Sequence, residues 1–175
     1  MNYKTLLHKS KVQWEKNPGN PIEEVSGKLF SSGAKWMYDQ LNAQKHNEKE
    51  FNIAINYTFY GLLKYGICLT AFFISAMFFL NWNVYLLPFS IIVFYFFEVQ
   101  FLFLFPLLID NVKHPLLTSI RQTYKTGIIR SMANVIPIAC YMLIGLFNLH
   151  NPLRNWHIGS LAIIIWYQHE IRNRL

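Results

Sequence analysis

The chain has 175 residues, of which 53% are hydrophobic, 17% aromatic and only 14% charged. A typical soluble domain carries about 25% charged residues, so the composition argues against a freely soluble domain, a disordered chain or a collagen-like repeat. The net charge of +7 does not mark a nucleic-acid binder, because the basic residues flank apolar segments and do not gather with aromatics into a phosphate-tracking patch.

Residues 1–53 are polar and contain eight lysines. Tyr3, Leu6, Leu7 and Trp14 predict a short amphipathic helix. Asn17 to Pro21 form a break. Asn20 is then placed to cap a second helix, Pro21 to open it and Glu23 to close a capping box. Ile22, Val25, Leu29, Trp36 and Leu41 follow with loose helical spacing. A segment this short buries too little apolar surface to fold alone. It is therefore expected to be a cytosolic amphipathic arm that lies on the membrane, packs on the ends of other helices or docks on a partner. The first long apolar run begins too late in the chain for a signal peptide.

Residues 54–175 read as a transmembrane domain of four helices. The first span is predicted over 56–80. Lys64 lies near its start, where its long stem is expected to snorkel to the headgroups. Asn56-Tyr57-Thr58 matches a glycosylation sequon, discounted because it falls on the expected cytosolic side. Asn81-Trp82-Asn83 reads as a tight turn. The second span, 84–109, is an unbroken apolar run of twenty-six residues with one charge, Glu98, near its middle. A helix of ~20 residues rising about 1.5 Å each crosses a ~30 Å hydrocarbon core. Pro88 sits in its first turns, and Phe94, Phe97, Phe101 and Phe105 read as lipid-facing and packing bulk, with no cofactor role implied.

Beyond Pro115, residues 115–130 predict an amphipathic helix. Leu116, Leu117, Ile120, Tyr124 and Ile128 form its apolar stripe, with Arg121, Gln122 and Lys125 away from it. Such a helix suits an anionic membrane surface or serves as a packed connector. The third span is predicted over 131–149, with Pro137 inside it. The fourth, 155–171, has only a short continuous apolar core from Leu161 to Tyr167. The fold class is thus all-α: a polytopic helical membrane protein with four transmembrane helices and a cytosolic N-terminal helical arm. A cytosolic N-terminus puts fifteen basic residues inside and only Arg154 outside. That bias places both termini in the cytosol, and the bacterial inner (cytoplasmic) membrane is the expected location.

Glu98 is the sharpest chemical signal. A carboxylate near the bilayer centre costs roughly 2.5–3.5 kcal/mol on insertion scales and faces a bundle interior or water. It reads as a proton-relay group, a ligand contact, an intersubunit pairing site or a protonated structural hydrogen bonder. Asn134, Ser160 and Tyr141 are the candidate partners within the chain, and their scarcity points to a partner on another chain. A second constellation sits at the predicted cytosolic edge, where Asp110 and His114 follow the second span and His169 and Glu170 end the fourth. If those ends meet, they could hold a divalent metal or act as an acid/base pair on a lipid headgroup. Solvated helix ends explain the same residues. Cys68 and Cys140 fit no metal spacing. His150 and His157 read as solvated residues flanking the outer loop.

Three functions are compatible with these features. The first is a membrane accessory, anchoring or effector subunit that acts through assembly with other chains or with itself. The second is a small integral-membrane enzyme for a lipid or isoprenoid substrate, with Asp110, His114, His169 and Glu170 as catalytic residues. The third is an oligomeric channel or transporter in which Glu98 lines a path. The expected surroundings are the lipid bilayer and other membrane chains, with no nucleic acid.

Overall fold

The computed structural model describes residues 1–16, 29–42, 51–148 and 150–174. The break at 17–21, the predicted cap formed by Asn20, Pro21 and Glu23, and Ile22 and Val25 lie outside the described residues. The structure is all-helical, with 82% of residues in helix and no strand among the described residues. Eight α-helices are described: α1 (Tyr3–Lys16), α2 (Leu29–Asn42), α3 (Tyr57–Trp82), α4 (Phe89–Gln100), α5 (Leu104–Ile109), α6 (Pro115–Thr126), α7 (Ile128–Leu146) and α8 (Arg154–Glu170).

The helix ends follow local chemistry. Asn2 accepts from the Thr5 amide and hydroxyl, at 3.0 and 2.9 Å, and so caps α1. Asn56, the first residue of the sequon, caps α3 by accepting from the Phe59 amide at 2.9 Å. Each satisfies a donor that a helix start leaves orphaned. Asn83 stops α3 in extended conformation, and its side chain accepts from the Tyr85 amide at 3.0 Å to start the return turn. Pro88 stands at the N-cap of α4, where its missing N–H costs nothing. His114 adopts the left-handed region (φ 53°, ψ 58°) just before Pro115 opens α6, since the proline ring disfavours helical backbone at the residue before it.

Antiparallel pairing organises the bundle. The α3–α4 hairpin is held in register by Phe79 with Phe89, Phe72 with Phe94 and Lys64 with Glu98. The α7–α8 hairpin closes tightly at its loop end, where the Asn155 amide donates to the Tyr141 carbonyl at 3.1 Å. A Cβ on Gly159 of α8 would collide with Met142 of α7, so this close approach requires glycine. α1 then runs antiparallel along α8, with Glu170 against the Met1 ammonium at one end and Trp14 stacked on His157 at the other. α2 lies across α3, α5 and α8; the ring of Phe30 packs on Gly61 of α3, where a Cβ would clash.

Three segments are long and apolar enough to cross a membrane: Tyr57–Trp82, Val84–Ile109 and Ile128–Leu146. The second is not one regular helix. Its ladder breaks at Phe101–Phe103, between α4 and α5, where the backbone closes short turns such as Phe101 N–H to the Glu98 carbonyl at 3.1 Å. α6 supplies a donor to the Gln100 carbonyl, which the break leaves without one among the described residues, and adds a second to the Val99 carbonyl, which also accepts from the Leu102 amide at 3.2 Å. Thr123 Oγ1 donates to the Val99 carbonyl and Ser119 Oγ to the Gln100 carbonyl, both at 2.9 Å. Unpaired carbonyls in apolar surroundings are costly, so the break and α6 are a matched pair. Between the two roles expected of 115–130, the contacts are those of a packed connector. Its inward face is polar, with Ser119, Gln122 and Thr123 buried, while Leu117 and Tyr124 of the apolar stripe are exposed.

The core lies around α8. Trp166, Tyr167, Ile164, Leu161 and Ile158 are all fully or almost fully buried, packed with Phe103, Leu104 and Leu107 from the break and α5. The outer part of the α3–α4 hairpin is the opposite, with Phe73, Ile74, Met77, Phe78 and Ile91 all exposed.

Candidate functional site

Glu98 belongs to the last turn of α4, one turn before the ladder breaks. Its partner is within the chain. Lys64 Nζ on α3 donates to Glu98 Oε1 at 3.1 Å, and the two side chains are only 7% and 15% exposed. Lys64 therefore does not reach out to headgroups, as its position near the start of α3 led one to expect. The Asn134, Ser160 and Tyr141 contacts considered for Glu98 are not the ones it makes, and no second chain is needed to compensate its charge. The sequence does hold a signal for this pair. Once Trp82–Asn83 is read as the turn, Lys64 lies 18 residues before Trp82 and Glu98 lies 15 after Asn83, so an antiparallel hairpin brings them to similar depth.

The pair is a costly arrangement. Two charges lose their hydration, and their attraction offsets that loss only when the remaining hydrogen-bonding capacity is also used. Lys64 places its ammonium 5.2 Å from the centroid of the Tyr65 ring, a cation–π contact. An ammonium has three donors and a carboxylate about four acceptor positions. Among the described residues Lys64 and Glu98 share one hydrogen bond, and neither makes another. Both side chains line a cavity of about 700 Å³ between α2, α3, α4, α7 and α8.

The second constellation resolves into two separate ion-pair clusters at one end of α8. Asp110 accepts from Tyr167 Oη at 2.7 Å and from Arg172 at 2.8 Å. Arg172 also donates to the Leu41 carbonyl at 3.0 Å and so ties α2 to the chain end. Glu170 accepts from the Met1 ammonium and from Arg130, each at 2.7 Å. The two carboxylates thus each hold a helix junction. His114 and His169 are exposed, and neither contacts Asp110 or Glu170 among the described residues. Among the described residues no group of three or more His, Cys, Asp or Glu is placed to hold a metal ion.

His157 departs most from its expected place. It is 3% exposed, not a solvated loop residue. Its ring stacks on Trp14 at 5.0 Å, meets Trp36 edge-on at 5.2 Å, and Nδ1 lies 2.7 Å from the Leu153 carbonyl. It pins α1 and α2 to the first turn of α8. No periodicity in 150–157 announces this, because the two tryptophans come from segments more than a hundred residues away. Cys68 is buried and Cys140 exposed, both as free thiols.

No protein-family model, curated protein or solved structure matches the chain.

Proposed function

We propose that the chain is an integral-membrane accessory or anchoring subunit that works by assembling with another membrane chain. The observation that carries this reading is the position of α1. Lys4, Lys9 and Lys16 are exposed on a helix that runs beside the whole of α8, while the exposed flank of α3 is apolar. One molecule thus presents a hydrocarbon-compatible flank and a cationic flank over comparable lengths. Hydrocarbon does not accept lysines, so α1 faces water or a chain whose carboxylates match it.

In this reading the α3–α4 hairpin is the anchor. From Tyr65 to Trp82, α3 runs about 27 Å at 1.5 Å per residue, close to the ~30 Å core. α7 makes the third pass, and α8, jacketed by α1, returns the chain as the fourth. The meeting of Met1 with Glu170 supports both termini on one side, and Arg130 and Arg172 at that end support the cytosolic side of a bacterial inner membrane. The rival reading as a lipid-modifying enzyme requires Asp110 and Glu170 to be free for chemistry, whereas each sits in an ion pair. The channel reading requires Glu98 to face a path, whereas Lys64 neutralises it.

The test is site-directed cross-linking from Val12→Cys, which lies on the exposed face of α1, in native membranes, together with native mass spectrometry of the mild-detergent extract. The expected result is one stoichiometric second chain, another protein or a second copy, cross-linked at α1 and lost in a Lys4→Glu/Lys9→Glu variant that stays carbonate-resistant. A lone chain with α1 open to water-soluble thiol reagents overturns the assembly reading. Release of the wild-type protein by carbonate overturns the anchoring one.

A further inference from the structure

The cavity beside Lys64 and Glu98 has three properties that a packing defect lacks. The first is its wall. The space is a half-open groove that reaches the surface beside the exposed Leu143, Leu146 and Trp156, and its volume of about 700 Å³ lies within the range of about 300–1,000 Å³ that holds one small molecule. On its α2 side stands Gly33, in mid-helix, where a Cβ would meet nothing within 4 Å. Glycine is a poor helix former, and here it leaves a hollow that almost any side chain would have filled. Ala139 of α7 and Ile163 of α8 line other walls.

The second property is unused polar capacity. Lys64 and Glu98 keep donors and acceptors beyond their mutual bond. Tyr95, one turn from Glu98, and Ser160 on α8 also line the space, and neither hydroxyl has a hydrogen-bond partner among the described residues. In an apolar surrounding such groups call for a ligand that donates and accepts. The third property is charge balance. The charged side chains lining the cavity are one cation and one anion, already paired at 3.1 Å. An anionic ligand would bring in a charge with nothing left to neutralise it, which a low-dielectric site penalises heavily.

We propose that this cavity binds one neutral single-chain lipid. Its hydroxyl- or carbonyl-bearing head hydrogen-bonds to the Lys64–Glu98 pair, and its chain lies against Gly33, Ala139 and Ile163. The apolar remainder of the lining supplies the affinity, and the ion pair, Tyr95 and Ser160 supply the orientation. The inference rests on the membrane reading above only for the source of the ligand.

The test uses the full chain in mild detergent. Native mass spectrometry and analysis of the solvent extract read what it retains. Thermal melting of the delipidated protein then reads its response to monooleoylglycerol, oleic acid and dioleoylphosphatidylglycerol. The expected result is one neutral single-chain lipid per chain, and a rise in melting temperature with monooleoylglycerol but not with the two anionic lipids. Gly33→Leu places a better helix former into the open space. It should cut occupancy at least tenfold and abolish the melting response, with helical circular dichroism unchanged. Should that variant misfold, Ala139→Phe blocks the same space from α7 and should act alike. Equal occupancy in wild type and blocked variants, retention of an anionic lipid, or no retention and no melting response overturns the proposal. Carbonate extraction of the same membranes separates the two readings. A protein that stays in the membrane but fails these tests loses the cavity proposal alone.

Discussion

α3 and α8 are both apolar helices, and they meet opposite surroundings. On α3, Phe73, Ile74 and Met77 are 60%, 65% and 67% exposed; on α8, Ile164, Trp166 and Tyr167 are 0% exposed. The more continuously apolar of the two is the one left open. A protein folding in water would bury the longer apolar surface first, since that burial drives folding. The inversion is compatible with a bilayer, where lipid would remove the drive to cover α3 and leave packing and hydrogen bonding to decide what sits inside. α8 is inside. His157 at its start and Tyr167 near its end find partners on α1, α2 and the α5 terminus.

The comparison is sharpest at Trp166. Trp166→Ala should destabilise by about 3–5 kcal/mol, the range for deleting a buried aromatic, read as a fall in the midpoint of thermal or detergent-induced unfolding. Lys64→Met should cost about 3–5 kcal/mol by stranding Glu98, and Lys64→Met/Glu98→Gln should recover much of that loss. If the double variant is as damaged as the single, the pair is not a closed unit. Met77→Asp tests the surroundings of the hairpin directly. In lipid it costs about 2.5–3.5 kcal/mol of insertion and should lower the carbonate-resistant fraction, whereas a hairpin standing in water would carry it silently.

Smaller effects refine the picture. Thr123→Val removes the side-chain donor to the Val99 carbonyl, which keeps the Leu102 amide at 3.2 Å, and should cost about 0.5–1.5 kcal/mol with the same unfolding readout. Phe73→Ala, on the open flank, should change the unfolding midpoint by less than about 0.5 kcal/mol. A cost at Phe73 as large as that at Trp166 would mean that a second chain covers α3, and would move the proposed assembly interface from α1 to the hairpin.

Much of the helical scaffold was legible from local signals. The apolar runs, the proline start of α6 and the amphipathic α1 are set by residues within a few positions of one another, so the chain states them outright; the turn expected at Asn81–Asn83 falls later, since α3 runs to Trp82 and Pro88, read inside the second span, stands at the N-cap of α4. The oddity of Glu98 was equally plain, because one carboxylate in an apolar run is visible without any fold. Its partner was less so. Lys64 lies 34 residues away, and matching the two needs the register of a hairpin as well as its existence. The interruption at Phe101–Phe103 had a local signal that the reading of one continuous span passed over: Pro106 has no N–H for the Leu102 carbonyl four residues back, and its ring crowds that turn. What stabilises it is Ser119 and Thr123 on another helix.

By itself, then, the sequence determined the all-helical class, the segments long and apolar enough to cross a membrane, and the presence of a charge that needed an explanation. Tertiary structure decided which charges meet. It took Asp110 and Glu170 from a supposed common cluster into two separate ion-pair clusters, turned His157 inward between two tryptophans, and left a hollow beside Lys64 and Glu98. The physical reason is range. Helix formation and apolar run length depend on neighbours within a turn or two. Ion pairing, burial and cavity shape depend on side chains brought together from distant parts of the chain, and a few ångströms of register between packed helices decide them.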